Sequence, residues 1–148
     1  MRQSDVMVYL MTGFLDSGKT QFLTFTLEQD YFQIQGKTLL ILCEEGEEEY
    51  DPKEMLKYGV VIEKVEDKED LTEAWLEEMN RKHKPERVVV EYNGMWPVSD
   101  FEKLALPADI ISPINYLLFQ VYFVYLPPPI LVISSVSINS ARVLCTVT

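Results

Sequence analysis

The chain has 148 residues, 47% of them hydrophobic and 25% charged, with a formal net charge of −11. That length suits one domain burying about 70% of its unfolded surface, and the composition excludes intrinsic disorder. So acidic a chain argues against general affinity for nucleic acid or anionic membrane, both of which need basic surface.

The apolar run VMVYLM, residues 6–11, reads as a buried strand. The residues before it lack the basic region and cleavage site of a secretory signal, so none is expected. GFLDSGKT follows at 13–20, and KTQFLTFTLEQD then reads as a helix with Phe22, Leu23 and Leu27 at helical spacing. TLLILC, residues 38–43, is a second buried strand, introduced by the Gly36-Lys37 turn signal. After the acidic loop EEGEEEYD, Pro52 suits the first turn of a helix running through Met55 and Leu56. GVVIEKV (59–65) is a shorter strand, and DLTEAWLEEMNRKH places Leu71, Trp75, Leu76 and Met79 on one helix face. RVVVEY (87–92) is a further strand.

Beyond residue 112 the character changes. All 24 acidic and 12 of the 13 basic residues lie in 1–112, a formal −12, while 113–148 carries only Arg142. The expected organisation is therefore a nucleotide-binding domain over 1–112 and an apolar tail over 113–148, the product of a truncation or frameshift or one or two core strands. INYLLFQVYFVYLPPPILVI is long enough for a membrane helix, but prolines 127–129 break it and no charges flank it, which disfavours a span. Cys43 and Cys145 make no disulfide framework, which points to a reducing cytoplasm.

Strands alternating with helices imply βαβ units around a mostly parallel sheet flanked by helices in three layers. In such sheets ligands bind beyond the carboxyl ends of the strands, where the glycine loop, the acidic loop and EYNG should meet. Gly13-x-x-x-x-Gly18-Lys19-Thr20 between a strand and a helix is the pattern of a phosphate-binding loop. Gly13 and Gly18 let the backbone curl its amides toward phosphate, Lys19 supplies a point charge, and the Thr20 hydroxyl can ligate Mg²⁺. Asp16 and Ser17 lie within the loop; Asp16 either faces solvent or tunes the metal site. Glu91 ends an apolar run where a second acid for Mg²⁺ or for the attacking water belongs, and Gly94 can offer an amide near the γ-phosphate. The five glutamates of the acidic loop form either a solvated face or, through Glu44 or Asp51, hard ligands for a cation. Cys43 reads as a small core residue and His83 as a surface one.

TGFLDSGKT, CEEGEEEYD and VVVEYNG together resemble the three successive motifs of the CobW/HypB/UreG GTPases, nearest the CobW branch. Glu44, Gly46, Glu47 and Asp51 fall on the second motif and Glu91, Gly94 and Pro97 on the third, so the likeness covers about residues 5–112. It implies a P-loop domain, here an incomplete one, that hydrolyses GTP with Mg²⁺ and couples turnover to delivery of a metal ion or cofactor, with a metalloprotein client or a transition-metal ion as partner. The implied roles are catalysis for Lys19 and Glu91, nucleotide binding for Gly13, Asp16, Ser17, Gly18, Lys19, Thr20 and Gly94, and metal binding for Thr20, Glu44, Asp51 and Glu91. The chain departs from the family in lacking the Cys-x-Cys-Cys metal motif and the Asn-Lys-x-Asp guanine reader. By its own residues it therefore specifies a nucleoside triphosphate, with ATP as open as GTP. No arginine finger is evident, so hydrolysis should be slow. The competing expectations are a nucleotide-binding regulatory or assembly module without turnover, and an inactive fragment of such a GTPase.

Overall fold

A computed structural model describes residues 6–14, 18–46 and 49–104 (Glu102 by its backbone alone), with the backbone of three further strands at 116–124, 130–138 and 141–143. Seven strands are described: β1 (Met7–Thr12), β2 (Thr38–Leu42), β3 (Val60–Lys64), β4 (Arg87–Glu91), β5 (Tyr116–Val124), β6 (Ile130–Ile138) and β7 (Ala141–Val143). Four α-helices accompany them: α1 (Lys19–Glu28), α2 (Pro52–Lys57), α3 (Glu73–His83) and α4 (Val98–Glu102). The strands form one sheet in the order β3-β2-β4-β1-β5-β6-β7. Pairing is parallel from β3 through β5 and antiparallel across β5–β6–β7.

The near-continuous apolar runs of β1, β2 and β4 are what a parallel sheet covered on both faces requires. Alternate residues of each strand serve opposite cores, as the two-residue period of a strand dictates. On one face Val8, Leu10, Leu39, Ile41, Val88 and Val90 pack with Leu76 and Met79 of α3 and Phe101 of α4. On the other, Met11, Leu40 and Val89 pack with Leu23 and Leu27 of α1 and Met55 of α2. Helices thus pack on both faces of the sheet at β1–β4, the α/β layering expected from the alternating pattern.

Several boundaries moved for identifiable reasons. α3 begins at Glu73 because the Thr72 hydroxyl accepts from the Trp75 amide and caps it. Leu71, expected on the helix, is buried from the 3₁₀ turn before it. α4 was not anticipated; its five residues are too few for a helical period to register. His83 closes α3 with its ring 2.6 Å from the Glu63 carboxylate of β3, and its side chain is only 12% exposed. Within residues 113–148, β5 lies beside β1 in parallel register from Val8↔Tyr116 to Thr12↔Gln120. No helix among the described residues is long and apolar enough to cross a membrane.

Candidate functional site

The sheet register decides which loops can meet. Met11 and Leu42 both stand opposite Glu91, and the ladder continues one step beyond, with Tyr92 N–H donating to Met11 O (2.7 Å) and Cys43 N–H to Glu91 O (2.9 Å). The segments after β1, β2 and β4 therefore leave the sheet at one level, at its carboxyl edge. Gly94 shows how closely they approach: a Cβ placed there would lie 1.9 Å from the Gly13 carbonyl oxygen, so only glycine fits.

From β1 the chain passes Gly13 and returns through Gly18, whose φ of 88° lies in the left-handed region that side chains disfavour. Gly18 is the residue before α1, no side chain caps that helix, and no acid stands in its first turn. Lys19 and Thr20 open the helix. Lys19 is 3% exposed, and its Nζ donates to the carbonyls of Gly13 and Phe14, each at 2.7 Å, and to Glu44 Oε2 at 2.7 Å. Asp16 and Ser17 lie outside the described residues, as does Glu47.

Glu91, at the end of β4, is 4% exposed. Its Oε1 accepts from Thr20 Oγ1 at 2.9 Å and its Oε2 from the Tyr50 hydroxyl, so both oxygens of the buried carboxylate are engaged. Burial raises its pKa, helped by the negative charge of Glu44, while the bonds from Tyr50 and Thr20 and the charge of Lys19 pull the other way. The Tyr50 hydroxyl is likewise driven upward, by burial first and by Glu91 second. Thr20, Glu44, Tyr50 and Glu91 line one cleft of about 160 Å³, with Leu42, Ile62 and Lys64 among its other walls.

Of the residues singled out by sequence, Gly13, Gly18, Lys19, Thr20, Glu44, Glu91 and Gly94 are thus assembled at one edge. Asp51 is placed differently. It is exposed and caps α2, its Oδ1 accepting from the amides of Lys53 (2.9 Å) and Glu54 (3.4 Å), and it does not line the cleft. Tyr50 is the site residue that sequence reasoning missed. The available signal was its position immediately before the Asp51 cap, where it and Met55 take the two ends of a hydrophobic staple and join the same core.

Among the described residues no three His, Cys, Asp or Glu side chains stand together as a metal cage. The Thr20 hydroxyl and the Glu91 carboxylate nevertheless offer two hard oxygens 2.9 Å apart. That donor set suits Mg²⁺, which binds through one or two carboxylates and keeps its remaining positions for water and phosphate. Cys43 is 1% exposed, and burial, with Glu91 and Glu44 nearby, pushes its thiol up to about 12. It is a core thiol rather than the thiolate that a soft metal requires. Compared with protein-family models, with curated proteins and with solved structures, the chain matches none of them.

Proposed function

We propose that the chain is a Mg²⁺-dependent nucleoside-triphosphate-binding protein that hydrolyses its ligand slowly, a P-loop GTPase of the kind its CobW-like motifs imply. The observation that carries this reading is the Thr20 hydroxyl, at the start of the helix after the glycine loop, donating to the buried Glu91 carboxylate with Lys19 beside it. Thr20 and Glu91 would hold Mg²⁺, which would supply positive charge to offset that of the triphosphate. Lys19 places a point charge on the same oxygens, and the amino end of α1 favours the anion. Glu91 orients the attacking water. The water oxygen bonds to the γ-phosphorus, the bond to the bridging oxygen breaks, the diphosphate leaves with its electron pair, and the water proton passes to the released phosphate. Such a module fits a switch that couples nucleotide state to delivery of a metal or cofactor to a protein client.

Calorimetric titration of the full chain with GTP and with ATP, each with Mg²⁺, tests the reading. GTP should bind, and Lys19→Ala should weaken it by about a hundredfold, the scale of a charge-assisted phosphate contact. Absence of binding heat with either nucleotide overturns the proposal; preference for ATP overturns its guanine part alone. A second reading, a binding module without turnover, is favoured by the engagement of both Glu91 oxygens, which ties the carboxylate to Thr20 and Tyr50. Glu91→Gln selects between them: unchanged, negligible phosphate release with binding intact supports the module, and a loss of measurable release supports the enzyme.

A further inference from the structure

A lysine ammonium has three N–H donors, and in this protein all three of Lys19 are spoken for: Gly13 O, Phe14 O and Glu44 Oε2, each 2.7 Å away. Two of these acceptors are backbone carbonyls directly following β1, and their positions are set by a strand paired on both sides. The third is a side chain, and it is the only anion of the three. Its carboxylate is nearly as buried as the ammonium, 8% exposed against 3%, so the pair is held out of water where charges act strongly on one another. A phosphate oxygen that reaches Lys19 needs a donor already given to Glu44 and brings a second negative charge into the same small volume. The two anions exclude each other.

We infer that Glu44 is an internal competing anion: it occupies the phosphate partner of Lys19, and a triphosphate must displace it to bind. This role differs from that of a Mg²⁺ ligand, and it rests on the reading of the glycine loop as a triphosphate site. In this arrangement Glu44 gives the buried ammonium its directly paired anion, which explains why an acid is tolerated beside a phosphate-binding lysine. On exchange, the carboxylate is released at the carboxyl end of β2, two residues beyond Leu42 and directly beside Glu45, which pairs with Lys64 on β3 at 3.3 Å. The cleft shared by Thr20, Glu44, Glu45, Tyr50, Lys64 and Glu91 gives it somewhere to go. The competition sets the affinity of the site and makes it dependent on the charge of the incoming ligand.

The test measures binding of a fluorescent methylanthraniloyl-GTP probe to the full chain, wild type and Glu44→Gln, in EDTA and again in Mg²⁺. Glutamine keeps an oxygen acceptor for Lys19 and removes the charge. In EDTA the variant should bind about tenfold more tightly, the scale of one charge-assisted bond no longer contested. Equal or weaker binding by the variant in EDTA, with wild type binding normally, overturns the inference and leaves the triphosphate reading standing. Equal binding in EDTA with weaker binding in Mg²⁺ makes Glu44 a metal ligand and also overturns it. Binding by the variant alone supports it, whereas binding by neither chain, in EDTA or Mg²⁺, overturns both the inference and the reading beneath it. Should Glu44→Gln fail to fold, as judged by circular dichroism, Glu44→Asp serves instead. It retracts the carboxylate by one methylene, should tighten the probe by a smaller factor, and overturns the inference if it does not.

Discussion

At the scale of single residues, the most consequential contact is one between side chains 41 positions apart, the Tyr50 hydroxyl on Glu91. Removing that hydroxyl leaves a buried carboxylate oxygen without its donor, and the cost of such an orphan is about 1–3 kcal/mol. Tyr50→Phe should therefore lower the unfolding free energy by that amount in urea denaturation. Combined with Glu91→Gln, the loss should be smaller than the sum of the two single effects, because the amide no longer buries a charge. Purely additive effects would show that the two side chains do not interact. Lys19, Thr20 and Glu91 were legible in the sequence, since a glycine loop specifies its neighbours over eight positions and an acid ending an apolar run marks a strand terminus. Tyr50 and the Glu44–Lys19 pair were not, because each depends on how β1, β2 and β4 are set against one another, which no local pattern encodes.

Among the elements, α2 shows how a short helix positions a site residue that is not part of it. Pro52 at its first position and Asp51 as its cap make six residues sufficient, and the chain entering the helix delivers Tyr50 to Glu91. Asp51→Ala should destabilise the protein by about 1 kcal/mol, and Asp51→Ser should recover most of that, read as midpoint shifts in thermal unfolding. If Asp51 acts only as a cap, neither change alters the Mg²⁺ concentration needed for nucleotide binding; a shift in that requirement would make it a cation ligand. The elements were the most legible level of this chain. TLLIL and RVVVE each carry an unbroken apolar run, LLIL and VVV, and a strand buried on both faces needs no alternation to be recognised. The boundaries were less so where a cap decides them: α1 starts at Lys19 as read, but Thr72 starts α3 through cap geometry that a hydrophobic period does not record.

On the scale of the whole molecule, β1 has neighbours on both sides, β4 and β5, each in parallel register over five residues. A chain ending at residue 112 lacks β5 and leaves the loop-bearing strand as an open edge, a template for unwanted pairing. Residues 1–112 expressed alone should melt at a lower temperature than the full chain and associate at lower concentration, as thermal scans and size-exclusion chromatography would register; equal melting would show that the apolar segment adds no stability to the sheet. The strand order itself was not legible. Sequence alternation calls for parallel strands, but that β4 rather than β2 lies beside β1 follows only from the packing of crossovers.

The same double pairing governs timing. A strand bonded on both sides cannot open locally, since freeing it breaks two ladders at once and approaches global unfolding. Any rearrangement that admits a ligand to the cleft is therefore expected at side chains that line it, such as Glu44 and Tyr50, while β1 stays still. The residence time of a ligand is then set by the breaking of a few side-chain bonds, so it can be tuned by single substitutions at the rim without loosening the frame that holds Lys19 and Thr20.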